Sequence, residues 1–216
     1  MSPFPLTYQG MPVPLVARWT TERDVTPLVV ARDFGIGFRD DHDDHISRDR
    51  WHVLWKRWTV SRGVGQPVLS GGHPSRQRRA MLDMLCQFCF LPAEDTILGT
   101  LFLLGDTTRS GLRGPVRDGE ITSTPPVHLA CALSAVELSP DRLKGLTAAR
   151  VKAALPWGVI GTRYKIARPF PVAEPDLTSM SYDNDNIRFM LAQQALVELH
   201  GCEPVDLVEE ARNACP

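Results

Sequence analysis

No stretch of this chain approaches the roughly 18 consecutive apolar residues that a membrane-spanning helix needs, so no such span is expected. There is no excess charge of either sign: the formal net charge is -1, which excludes a globally basic nucleic-acid binder but leaves room for a local basic face. Phosphate-binding glycine loops are missing. Gly35-Ile36-Gly37 lacks the third glycine of a dinucleotide loop, no P-loop is present, and Ser110-Gly111 has no nucleophile-elbow context. The opening Met1-Ser-Pro-Phe-Pro has no basic segment followed by an apolar run, so no secretory leader is expected and the chain reads as cytoplasmic. Five cysteines is an odd number, and two of them stand in a Cys-x-x-Cys pair. That combination favours a metal site and free thiols over a disulfide framework.

What is present is an ordinary globular composition. With 216 residues, 43% hydrophobic and 23% charged, the chain can bury one good core with a small metal module attached. Eighteen prolines imply many turns and few long helices. The reading is a single α+β domain over residues 1–216, a mixed small sheet and helices built around a central treble-clef-like zinc module at about 73–140. Strands are expected at 25–32, within 51–58, at 97–104 and at 158–167, and a long loop over 105–124. Helices are expected from Ser75 to Leu85, after Pro125-Pro126, from Asp141 to about Ala154, from Asn184 to His200, and after Pro204.

The strongest chemical signal is two pairs of zinc-ligand type. Cys86-Gln-Phe-Cys89 places two thiols on one tight turn, and His128-Leu-Ala-Cys131 at a helix start puts imidazole and thiol one turn apart. An apparent β-hairpin lies between the pairs, and knuckle, hairpin and helix start are the layout of a treble-clef finger. Four protein ligands fill the coordination sphere of zinc, which is the arrangement of a structural site; a catalytic zinc keeps a position open. The competing readings are a catalytic zinc with one ligand detached, and buried cysteines acting as small apolar groups. His200-Gly-Cys202 is a poorer substitute for the second pair.

The stretch Arg76-Gln-Arg-Arg-Ala-Met-Leu-Asp-Met-Leu-Cys86-Gln-Phe-Cys89, followed by Pro126-Val-His128-Leu-Ala-Cys131-Ala, resembles a set of uncharacterised actinobacterial proteins. They carry an RQRR…LCQVCG knuckle and a PPVCxxCA second pair, and Tyr182 to Leu207 resembles their C-terminal segment. The resemblance implies the same four zinc ligands and no transferable activity. Two positions depart from it: His128 stands where a cysteine is usual, and Phe90 where the knuckle glycine is usual. The second departure predicts strain, because glycine tolerates the positive φ such turns often need. A wider similarity is to HNH endonucleases. Their catalytic histidine has no counterpart in Thr96 to Gly105, so nuclease activity is not expected.

Asp40-Asp41-His42-Asp43-Asp44-His45, with Asp49 and His52, is the rival site. On a helix His45, Asp49 and His52 would share a face, and two imidazoles with one carboxylate form an open metal-binding set. The alternative is a solvated acidic loop. Between Arg48 and Arg79 eight basic residues face one acid, Asp49, and Arg109, Arg113 and Arg117 follow later. Arg57, Arg76, Arg78 and Arg79 could therefore form a nucleic-acid face beside the knuckle, unless they pair with acidic segments. The sequence thus supports a protein with a structural Zn2+ that binds nucleic acid or a protein partner in an accessory role. The alternative is a small-molecule tailoring enzyme using His42, His45, Asp49, His52 or His73, with its pocket between the Trp51/Trp55 segment and the zinc module.

Overall fold

The computed structural model describes residues 6–41, 48–93, 96–105, 114–138 and 145–214. Short strands come first in the chain: β1 (Thr7–Tyr8), β2 (Met11–Pro12), β3 (Ala17–Trp19), β4 (Val29–Arg32), β5 (Gly35–Phe38), β6 (Leu54–Trp55) and β7 (Pro67–Gly72). Helix α1 (Pro74–Leu82), β8 (Thr100–Leu104), β9 (Glu120–Thr122) and α2 (Leu129–Leu138) occupy the middle. The C-terminal third holds β10 (Thr147–Lys165), β11 (Val172–Ser181), a 3-10 turn (Asp185–Phe189), β12 (Met190–Val205) and α3 (Leu207–Ala214). The mixed α+β class is as expected, with strands predominating. Among the described residues no helix is long and apolar enough to cross a membrane.

Two long antiparallel strands, β10 and β12, carry the architecture. On the outer side of β10, β8 pairs with its first half and β11 with its second. On the outer side of β12, β6 pairs in parallel at Leu191 and Ala192, and β9 antiparallel at Val197 to Leu199. Between those two short partners the edge of β12 would be bare. The buried side chain of Gln77 on α1 fills the gap: its amide nitrogen donates to the Ala195 carbonyl (2.9 Å) and its oxygen accepts from the Ala195 N–H (2.8 Å). One carboxamide reproduces the hydrogen bonding of a missing strand residue.

Three sequence expectations fail here. The helix expected from Asp141 to Ala154 is strand from Thr147 onward, residues 139–144 lying outside the described set. The helix expected from Asn184 to His200 is a 3-10 turn followed by β12. The reason is a β-bulge. Ala192 opposes Gly161 and Gln194 opposes Ile160, so Gln193 is an extra residue on β12. Met190 and Ala192 before the bulge, and Ala195, Val197 and Leu199 after it, all enter the same main core, while Leu191 faces the β4–β5 hairpin core. One inserted residue makes a two-residue period look like a helical one. Gly161 sits at this bulge because a Cβ there would meet the Leu191 carbonyl oxygen at 2.3 Å.

The third correction concerns the metal module. β8 and β9, the strands between the two ligand pairs, do not form a hairpin with each other: β8 joins β10 and β9 joins β12. Both strands are instead absorbed into the large sheet as antiparallel neighbours of its two long strands. Helix α1 also starts two residues early and ends three residues before Leu85. Pro74 takes the first helical position, where its missing N–H costs nothing, so His73 rather than Ser75 stands at the N-cap.

Two buried ion pairs fasten peripheral pieces to this frame. Arg150 of β10 makes a two-pronged contact with Glu210 of α3 (3.0 and 2.9 Å). Arg76 of α1 does the same with Glu22 (2.7 and 2.8 Å) and also donates to the Ala17 carbonyl.

Candidate metal centre

Helix α1 stops at Leu82, four residues short of Cys86, and the chain then reverses tightly. Cys86 N–H donates to the Leu91 carbonyl, and Phe90 N–H donates to the Cys86 carbonyl, closing the knuckle. Phe90 takes φ +63°, the left-handed conformation expected of the position where glycine is usual. Its ring packs against Val16, Ala80 and Leu85, and the Arg79 guanidinium lies over it at 5.6 Å. These contacts offset a backbone penalty of about 1–2 kcal/mol. The second pair is brought in by backbone pairing: Gln87 N–H donates to the Pro126 carbonyl and Val127 N–H to the Leu101 carbonyl. That places His128 immediately before α2 and Cys131 within its first turn.

The result is one cluster. The ligand atoms of Cys86, Cys89, His128 and Cys131 all lie within 4.8 Å of one another. Tetrahedral zinc with bonds of about 2.3 Å to sulfur and about 2.1 Å to nitrogen needs ligand separations of roughly 3.5–3.8 Å. Small side-chain rotations suffice to reach them, so the donors fit a metal ion. Cys86 and Cys131 are buried in a core with Phe88, Leu101, Leu103 and Ala132. His128 is aimed inward by its surroundings: Nδ1 lies 3.2 Å from the Cys89 sulfur, while Nε2 donates to the Pro92 carbonyl at 2.7 Å. A hydrogen bond from the far nitrogen fixes the tautomer that leaves Nδ1 free to ligate.

The electrostatics match. A hydrogen bond from the Cys131 thiol, with the N–H groups of Cys89, His128 and Phe88, outweighs burial and holds the Cys86 thiol well below its ordinary value. Burial, then the Cys86 charge, pushes Cys89 up; the shared bond to Cys86, then burial, pushes Cys131 up. The three thiols are thus driven in opposite directions by sharing one site, and a dication there would favour the ionised form of each. Cys202 stands apart, its N–H bonded to Asp118 and its thiol pushed up to about 11 by burial and by Asp118.

The other predicted site residues are not gathered. His42 and His45 lie outside the described residues. Residues 49–52 form a turn rather than a helix, so Asp49 and His52 share no helical face. The Asp49 carboxylate accepts from the N–H groups of Trp51 and Val53 (2.9 and 3.0 Å) and from the Trp55 indole (2.7 Å), with Arg78 at 3.7 Å. It organises the turn and has no room for a metal. His73 is fully buried, hydrogen-bonded through Nε2 to the Thr59 carbonyl, and burial with the Arg76 charge lowers its pKa.

The four arginines expected to form a nucleic-acid face each have a carboxylate neighbour. Arg57 pairs with Asp40 and Asp41 (3.1 and 2.6 Å), Arg76 with Glu22, Arg78 with Asp49, and Arg79 with Asp83 at 3.5 Å. Arg78 and Arg79 line one small groove with Lys56; Arg109 and Arg113 lie outside the described residues.

Sequence reasoning missed a cleft of about 960 Å³ between the β4–β5 turn, residues 48–52 and the segment from Tyr182 to Arg188. His52, at φ +62°, is on its wall. The pocket expected between the Trp51/Trp55 segment and residues 73–140 has a counterpart in a smaller cleft of about 330 Å³ lined by Trp55, Lys56, Ser75, Arg78, Arg79, Leu82 and Asp83, whereas the 960 Å³ cleft takes nothing from 73–140. Its parts come from three distant segments, and the exposed Phe34 was the one available hint. No protein-family model matches the chain, and neither a curated protein nor a solved structure is similar to it.

Proposed function

We propose that the protein binds one zinc ion through Cys86, Cys89, His128 and Cys131, and that the metal is structural. The observation that carries this reading is the convergence of four soft or borderline donors within 4.8 Å of one another, two of them buried. Three sulfurs and one imidazole suit zinc better than a hard cation, and four protein donors leave no position for a substrate. The ion would tie the knuckle after α1 to the start of α2, two segments 39 positions apart at Cys89 and His128. Structural zinc contributes about 10–16 kcal/mol in isolated finger peptides, so folding of this region would depend on it.

A closed metal sphere does no chemistry, so any activity belongs to another surface. The nucleic-acid reading through Arg57, Arg76, Arg78 and Arg79 loses its basis in their carboxylate partners. The tailoring-enzyme alternative keeps His52 beside the cleft and loses Asp49 to the turn.

The test is metal content per chain, measured on protein purified without added metal. We expect one zinc in wild type and His52→Ala, and none in Cys89→Ser, with a lower melting temperature for the last. A metal-free wild type whose melting is indifferent to chelators would overturn the proposal.

A further inference from the structure

We infer that the cleft between Phe34 and Arg188 is a binding site for a nucleotide unit, meaning a planar base carrying an anionic phosphate. Three features point that way, and none involves the metal cluster.

The first is a stack with an open end. Tyr182 and Trp51 lie parallel, 4.0 Å between ring centroids and 9° between planes. The Arg50 guanidinium covers the Trp51 ring at 4.0 Å. Tyr182 is half-buried and Arg50 exposed, so the layers run from the protein outward and end on a cationic plane facing solvent. A base can extend such a stack. Opposite, Phe34 is 76% exposed at the β4–β5 turn, a second unused aromatic surface.

The second is the division of labour among the guanidiniums. Arg32 and Arg48 brace the walls: Arg32 donates to the Phe38 and Asp41 carbonyls, and Arg48 to the Ile36 and His52 carbonyls. Arg50 and Arg188 are exposed and have no carboxylate partner among the described residues. Two unpaired guanidiniums at one opening suit a phosphate. The exposed Asp33, Asp183 and Asp185 in the same lining would repel a bare anion, but they can accept from ribose hydroxyls or an exocyclic amine. The mixture favours a ligand with both kinds of group over inorganic phosphate.

The third is preorganisation. Gly35, beside Phe34, packs so closely on Arg188 that a Cβ would stand 2.3 Å from its carbonyl oxygen. That contact fixes the aromatic tip relative to the cationic segment before any ligand arrives.

The experiment is calorimetric titration of the full chain with AMP, CMP, adenosine, inorganic phosphate and a five-nucleotide single strand, with 1H–15N spectra to locate the Trp51 indole signal. We expect AMP or CMP to bind more tightly than adenosine or phosphate and to shift the Trp51 indole. Phe34→Ala should weaken binding at least about fivefold, the low end of base–aromatic stacking. Arg188→Gln should weaken the nucleotide but not adenosine. Both residues are exposed, so unchanged melting and metal content check that the variants fold. A strand binding more tightly than the mononucleotide assigns the unit to a strand terminus; equal binding assigns it to a free nucleotide. No nucleotide binding at millimolar concentration, or binding that leaves the Trp51 indole and both variants unaffected, would overturn the inference.

Discussion

The Cys86/Cys89/His128/Cys131 cluster and the Asp49 turn both concentrate polar side chains in a small volume, but their donors point in opposite senses. At Asp49 the protein supplies the positive ends: two N–H groups, an indole and a guanidinium surround one carboxylate. At the cysteine cluster it supplies electron pairs that face one another, with Cys86 held toward its ionised form and Cys89 and Cys131 pushed away from theirs. The first site is satisfied by the protein's own donors; the second has the donor set that a cation would complete. Residue type does not separate the two, since aspartate and histidine ligate metals as readily as cysteine. What separates them is whether the backbone has already claimed the side chain.

The largest effect that tests this contrast is removal of the metal. Chelation should lower the melting temperature by about 10 °C or more, since even 2–3 kcal/mol moves a domain of this size by several degrees. Asp49 should be insensitive to the same treatment. Next comes Glu22→Ala, which leaves Arg76 buried beside no counter-charge and should destabilise by about 3–5 kcal/mol without changing metal content. Asp49→Ala unpairs several donors at once, and about 2–3 kcal/mol is expected, again with metal retained. Loss of zinc in Asp49→Ala would erase the distinction between the regions.

Acid should reveal the difference in another way. Glu22 is raised by burial but lowered further by Arg76 and the Trp19 N–H, so its folded pKa lies below the unfolded one. Its stabilisation is present above the unfolded pKa, near the ordinary glutamate value of 4.5, and is lost as pH falls from there through the folded pKa. His73 is also depressed, by burial and Arg76, so its neutral form is the folded one. Stability should be full above the ordinary histidine value of 6.5 and decline as pH falls below it, where the unfolded chain takes up a proton first. Chemical denaturation from pH 8 to pH 4 should therefore show a shallow loss below 6.5 and a steeper one below 4.5, and His73→Gln should flatten the shallow part. The smallest effect is that of Phe90→Gly. Relief of the left-handed backbone offsets lost packing, so stability should stay within about 1 kcal/mol of wild type with zinc unchanged.

The convergence of Cys86, Cys89, His128 and Cys131 was legible because each pair is a local pattern whose spacing carries its geometry. The φ of Phe90 was legible for the same reason. Of the two long strands only the second half of β10 was, as the strand expected at 158–167. Ala148-Ala-Arg-Val-Lys-Ala-Ala154 is built from good helix formers, and only pairing with β8 and β12 makes it extended. The bulge at Gln193 disguised β12 further, since a one-residue insertion is visible only against its partner. Charge partners such as Arg76 and Glu22, 54 positions apart, left no trace in composition. The Phe34–Arg188 cleft was hidden because no single segment contains it.

Gln77 has one more consequence. A side chain is a narrower plug than a strand, and it is held by a helix whose C-terminal turn runs straight into the zinc knuckle. Withdrawing it would expose the Ala195 N–H and carbonyl on an otherwise covered edge, flanked by Leu196 and Val197. Unpaired apolar edges recruit other chains. The metal-depleted protein should therefore fail by self-association seeded at β12, with the Ala195 amide among the first protected sites to exchange with solvent.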